Sequence, residues 1–269
     1  MRPNEKQSGK ASVMDLGLKG KKAIVTGGTR GIGRAIAETL AGEGVDIAIC
    51  ARNQDQVDEA VAALSNKGVK ATGGVADIAD GEGLKKWIAD MGKTMGGIDI
   101  LVANASALAN GNDEKSWRAC FEIDVLGAVN AFEAALPFLT EAAKKSGDAS
   151  ATFISSISAA ENDNANAYGA QKAAQIHLAK GLARQHAGDH VRVNTVSPGT
   201  VYFKGGVWSM VEDHMPDMFK QAMSRNPTGR MATPQDIANA AVFLASPASS
   251  FTTGSNLVVD GAISRRVNF

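Results

Sequence analysis

"KAIVTGGTRGIGRAIAETL", residues 22–40, opens as a short apolar run with β-branched residues and closes as an alanine-rich segment with apolar side chains at helical spacing. Between the two halves stand Gly27, Gly31 and Gly33 in the pattern TGxxxGxG. A strand-to-helix turn of this kind needs residues that tolerate tight backbone angles and let a ligand come close. The helix that follows offers unpaired N–H groups and the positive end of its dipole to an anion. A pyrophosphate is the natural guest, with Gly27, Thr29, Arg30, Gly31, Ile32 and Gly33 around it. The spacing differs from GxGxxG, so the reading rests on position after a first strand; no GxxxxGK follows a strand, which excludes a P-loop.

The same alternation continues along the chain. "VDIAICA", "VKATGGVA", "IDILVAN", "SATFISS", "HVRVNTVSP" and "SNLVVDG" read as further buried strands. Helical patterns cover 54–67, 81–95, a long stretch at 114–145, then 165–187, 203–225 and 234–246. Near-continuous apolar strands alternating with helices imply an α/β protein: a single doubly wound, Rossmann-type domain around a seven-stranded parallel sheet covered on both faces. The expected boundaries are a flexible tail over 1–18 and one catalytic domain over 19–269, with no repeat or linker.

Charged residues around the glycine turn suggest the guest's identity. Arg30 and Arg34 flank the start of a helix, where cations oppose the dipole unless a phosphate offsets them. Arg52 closes the second strand, where an acidic residue would accept from a ribose 2′-hydroxyl; arginine there suits a 2′-phosphate. NADP(H) is therefore preferred over NAD(H).

Composition narrows the function classes. The 269 residues are 44% apolar and 21% charged, and 28 Lys plus Arg balance 28 Asp plus Glu. A neutral chain with 5% aromatics gives no basic or base-stacking surface, so neither nucleic acid nor membrane is an expected partner. Cys50 and Cys120 form no CxxC or metal spacing and read as reduced thiols of a cytoplasmic protein; no metal site is expected. No run of eighteen apolar residues appears, and no membrane span is expected.

"AYGAQKAAQ", residues 167–175, then places Tyr168 and Lys172 one helical turn apart on one face. Alone the pair is a common accident. With TGxxxGxG at 26–33, "ANAS" at 103–106, "ISS" at 154–156, "YGAQK" at 168–172 and "PG" at 198–199, the chain from about Lys19 onward resembles the short-chain dehydrogenase/reductase family. The resemblance implies that Tyr168 exchanges a proton with a carbonyl or alcohol oxygen, the neighbouring ammonium favouring phenolate. Lys172 would also hold the nicotinamide ribose, and Ser156, rather than its neighbours Ser155 and Ser158, would bind the substrate oxygen. Asn104 would brace the sheet, with Ala105 beside it at the cofactor. Asp77 would hold the adenine edge or cap the next helix. Pro198 and Gly199 would shape the nicotinamide loop, and Thr200 would meet the carboxamide.

The clearest departure is "IDVLG", which sets Asp124 where the family often has an asparagine serving a water-linked proton relay. Asn130, six residues on, lies roughly 240° around a regular helix and faces elsewhere. Asp124 is expected to hold hydrogen bonds and displace the pH optimum of an active enzyme. The segment at about 200–226 carries Tyr202, Phe203, Trp208, Met210, Met215, Met218, Phe219 and Met223, either a lid over an apolar pocket or a helix pair packing on the domain. The leading expectation is an NADP(H)-dependent oxidoreductase for a small apolar ketone, aldehyde or alcohol, with a 3-oxoacyl thioester as one option; the rival is a non-catalytic NADP(H)-binding scaffold or sensor. The resemblance also implies a homotetramer.

Overall fold

Seven parallel strands, in the order β3-β2-β1-β4-β5-β6-β7, form the sheet of the computed structural model, which describes residues 14–161 and 164–267. The strands are β1 (Lys22–Thr26), β2 (Asp46–Ala51), β3 (Ala71–Val75), β4 (Ile100–Ala103), β5 (Ala149–Ile154), β6 (Val191–Pro198) and β7 (Asn256–Val259). Central strands are buried on both faces, as their unbroken apolar runs require. In register, Ile24 of β1 stands between Ala48 of β2 and Leu101 of β4. The chain leaves β1 in one direction for β2 and returns to its other edge at β4, so the strand order reverses there.

Helices cover both faces. On one face α1 (Gly31–Gly42) and α9 (Pro234–Ala245) bury Ile36, Leu40, Ile237 and Val242. On the other, α3 (Gly81–Met95), α5 (Gly127–Ser146) and α6 (Ala167–His186) bury Leu84, Ile88, Phe132 and Ala179. Side-chain caps start several helices: Asn53 for α2 (Gln54–Ser65), Asp80 for α3, Asp113 for α4 (Glu114–Cys120), Asn166 for α6 and a Thr233–Asp236 capping box for α9.

Three features differ from the sequence reading. The helix expected over 114–145 is α4, a π-helical stretch over Phe121–Leu126, and α5. Gly127 N–H donates to the Glu122 carbonyl, five residues back, because Asp124 is drawn inward to partners on other elements. The segment expected as one helix over 203–225 is α7 (Val207–His214) and α8 (Pro216–Ser224); Pro216 lacks an N–H and forces Met215 out of the helical region. Residues 1–13 of the expected tail lie outside the described residues, whereas Leu18 is fully buried and Leu16 packs on the core, so the packed chain begins before Lys19.

Within the run from Glu114 to Ser146 the most apolar 18-residue window has a mean hydropathy of 1.3, enough by length and composition alone for a spanning helix. Its apolar residues Ala128, Ala131, Phe132, Ala135 and Leu139 are spent on the core between α3 and the sheet. Both cysteines are buried and free, and burial pushes the Cys50 thiol up to about 12. Among the described residues no cluster of His, Cys, Asp or Glu has the makings of a metal site.

A buried ion pair clamps the far half of the sheet. Arg192 of β6 donates to Asp148 Oδ1 at 2.6 Å and to the carbonyls of Leu244 and Ser246 at 2.7 and 3.1 Å, tying α9 to β5 and β6.

Candidate active site

The residues singled out in the sequence follow the carboxyl ends of the strands, the edge at which parallel sheets bind ligands. Gly27 follows β1, Asn104 follows β4, Ser156 follows β5, and Gly199 follows β6. At the reversal point, Thr26 Oγ1 accepts the N–H groups of Asn104 and Ala105 at 3.0 and 3.2 Å. Asn104 Nδ2 returns bonds to the carbonyls of Thr26 and Gly27 at 3.0 and 3.2 Å. Asn104 is thus the brace the sequence suggested. Gly27 sits at φ 65°, and a β-carbon on Gly33 would lie 2.2 Å from Gly27 O and 2.4 Å from Asn104 Nδ2. No side-chain cap closes the start of α1 among the described residues.

The flanking charges divide. Arg34 pairs with Glu38, 2.6 Å away on the same helix, and also donates to the Thr29 carbonyl of the turn at 3.5 Å. Arg30 and Arg52 are exposed, and their guanidinium groups have no partner among the described residues. Asp77 is exposed and accepts Ala79 N–H at 3.0 Å; the cap of α3 is Asp80, which removes the capping alternative for Asp77.

The Ser–Tyr–Lys set is assembled by α6 docking on the end of β5. Gly169 lets the helix approach so closely that a β-carbon would stand 2.6 Å from Ser158 O. Ser155 Oγ donates to the Lys172 carbonyl at 2.9 Å, and Lys172 Nζ donates to the Ile154 carbonyl at 2.8 Å. Ser156 Oγ accepts Ser158 N–H at 3.1 Å, which orients the hydroxyl and leaves its proton to donate. The Lys172 ammonium lies 5.6 Å from the centre of the half-buried Tyr168 ring.

Asp124 completes the set in a way the sequence only partly foresaw. Its Oδ1 stands 2.9 Å from Lys172 Nζ, an ionic contact off the hydrogen-bonding direction, and its Oδ2 accepts Ala107 N–H at 3.0 Å. Both oxygens are therefore engaged by the protein. Gln175, one turn beyond Lys172, was missed: its Nε2 donates to the Asp124 carbonyl at 2.5 Å, and its Oε1 accepts from Lys172 Nζ at 3.2 Å. The signal was available, since an amide interrupts the small apolar stripe of Ala179 and Ala183 on the buried face of α6. Asn130 packs against Gly81 at the start of α3, away from the lysine.

On the far side, Gly199 N–H donates to Val259 O at 3.0 Å, and the hydroxyl of Thr200 donates to Asn226 Oδ1 at 3.1 Å. The Thr200 side chain thus braces the 200–226 segment, and its hydroxyl oxygen keeps lone pairs that can still accept. In that segment the Phe203 ring lies on the α-carbon of Gly31, where a β-carbon would meet Cζ at 2.6 Å. Tyr202 donates to Glu212 and stacks edge-on with Phe219, while Met210, Met215 and Met218 stay about half exposed.

The family model described as enoyl-(acyl carrier protein) reductase matches residues 27–264. The isoepoxydon dehydrogenase of Penicillium expansum is 36% identical over 256 residues, covering 93% of this chain and 97% of that one. The chain belongs to the short-chain dehydrogenase/reductase family. Among solved members, the L-sorbose reductase of Gluconobacter frateurii, in complex with NADPH and L-sorbose, superposes with a TM-score of 0.85 at 31% identity, covering 94% of this chain and 100% of that one. A 7α-hydroxysteroid dehydrogenase bound to NADH and a 7-oxo bile acid superposes at 0.84 with 30% identity over 94% of this chain and 98% of that one. Its membership makes the glycine turn the first test of the assembled edge. Gly33→Ala forces the Gly27 carbonyl or Asn104 to shift, and a loss of about 1–3 kcal/mol is expected in urea unfolding; an unchanged midpoint would contradict the close packing described.

Proposed function

We propose that this short-chain dehydrogenase/reductase interconverts a ketone or aldehyde and its alcohol with NADP(H), Tyr168 exchanging the proton at the substrate oxygen. The observation that carries the proposal is the Ser156–Tyr168–Lys172 arrangement itself. The Tyr168 hydroxyl has no hydrogen-bond partner among the described residues, while the groups on either side of it are oriented. A scaffold that only bound a dinucleotide would have no use for an oriented serine hydroxyl and a buried ammonium beside a free phenol.

The residues present fit the dinucleotide. The start of α1, closed onto the Gly27 carbonyl and Asn104 at Gly33 and carrying no side-chain cap, suits a pyrophosphate. Arg30 and Arg52 are two unpaired cations at the ends of β1 and β2, where a 2′-phosphate would be received, and this favours NADP(H) over NAD(H). Asp77, Asn104, Ala105, Pro198 and Gly199 border the same edge. When bound, the nicotinamide supplies or accepts the hydride. Ser156 Oγ–H donates to the substrate oxygen, Tyr168 Oη holds the proton to be transferred, and Lys172 keeps a positive charge beside the phenol. The methionine-rich surface of α7 and α8 favours an apolar substrate under a covering segment. A homotetramer is in keeping with the exposed Trp117, Phe121 and Leu126 along α4 and the π-helical stretch, and the two buried reduced thiols are in keeping with a cytoplasmic location.

NADPH oxidation followed at 340 nm across ketones and 3-oxoacyl thioesters tests the proposal. Wild type should turn over at least one carbonyl, and Tyr168→Phe should lose about 100-fold or more in kcat; NADPH binding with no turnover on any carbonyl would favour the scaffold. Arg52→Ala should weaken NADPH binding by about tenfold or more while leaving NADH affinity within about threefold. Equal losses for both cofactors would remove the 2′-phosphate role.

A further inference from the structure

We infer that Gln175 is a positioning residue of the reaction centre, a side-chain amide built in where a bridging water would otherwise join the Asp124 carbonyl to the Lys172 ammonium. The inference rests on the oxidoreductase reading above. Tyr168, Lys172 and Gln175 stand at i, i+4 and i+7 on α6, so the three share one face. Gln175 is 1% exposed, and a buried amide must have both ends satisfied. It satisfies them on the site alone: Nε2 on the Asp124 carbonyl at 2.5 Å, Oε1 toward Lys172 Nζ at 3.2 Å. The orientation is fixed by chemistry, since the reverse would set an NH₂ against an ammonium and an oxygen against a carbonyl.

The π-helical stretch gives this contact its purpose. Asp124, whose carbonyl takes the amide, lies within it, and its carboxylate is already occupied by Lys172 and Ala107 N–H. A water in the same place would need the same two partners, and would be free to exchange and to move protons. The amide is held by the helix and moves none. Gln175 therefore fixes the height of the ammonium beside Tyr168.

This role predicts an order of damage that a space-filling role would invert. Gln175→Ala opens a small cavity with two polar partners, which a water can enter. Gln175→Leu and Gln175→Met fill the space with apolar atoms, strand the Asp124 carbonyl and leave the ammonium one partner short. Two readouts are taken on the folded holoenzyme: NADPH affinity by fluorescence titration, and kcat on a ketone that wild type accepts. Losses of about tenfold or more are expected in kcat and in NADPH affinity for the Leu and Met variants, and less than about threefold for Ala. Wild-type values in Leu and Met, or an Ala variant worse than both, would overturn the proposal. If wild type itself reduces no carbonyl, the oxidoreductase reading fails, while the affinity order still tests Gln175 by itself.

Discussion

A lysine ammonium buried to 1% exposure is the constraint around which the rest of the centre is arranged. Taking such a charge out of water costs several kcal/mol unless it is paired and hydrogen-bonded, and breaking a buried pair costs about 3–5 kcal/mol. Lys172 meets the demand with the Ile154 carbonyl, the Asp124 carboxylate and the Gln175 amide. Each partner comes from a different element, so one side chain holds β5, the π-helical stretch and α6 in mutual register. The widened turn of the long helix is the conformational consequence: it brings Asp124, fully buried, to the lysine without moving α5 off the sheet.

The same logic acts at the reversal of the strand order. Two strands that diverge after β1 and β4 leave carbonyls without ladder partners, and Asn104 supplies a donor to two of them while Thr26 accepts the opposing N–H groups. The glycine turn closes over this brace. The strand-end turn and the Tyr168–Lys172 arrangement are thus products of one requirement, that buried polar groups at the ends of parallel strands find partners.

Much of this was legible in the chain. Apolar runs marked the central strands, β3 with its two glycines and no buried residue less so, and the glycine turn was readable from its place after the first strand, whereas Tyr168, Lys172 and Ser156 stood out only with the other motifs of the family. The resemblance to the family supplied the assignment of roles, which composition and periodicity do not carry. What was not legible depends on contacts distant in sequence. Gln175 sits 51 residues from the carbonyl it serves, and Arg192 reaches 44 residues back to Asp148. Arg34, placed at the turn by the sequence, is shared there between Glu38, one helical turn on, and the Thr29 carbonyl. Thr200 joins Asn226, 26 residues on, a contact that no local pattern announces. Periodicity also joins α4 to α5 without a break, since a single widened turn leaves almost no trace in an apolar pattern.

The central claim is that the enclosed ammonium serves the proton transfer at Tyr168. Reduction of a ketone by NADPH carrying deuterium on the transferable position of nicotinamide C4 tests it most directly, comparing wild type with Lys172→Met. Wild type should place the label on the carbinol carbon, and the variant, folded and saturated with cofactor, should do so at least about 100-fold more slowly. Label transfer by Lys172→Met at the wild-type rate would contradict the account.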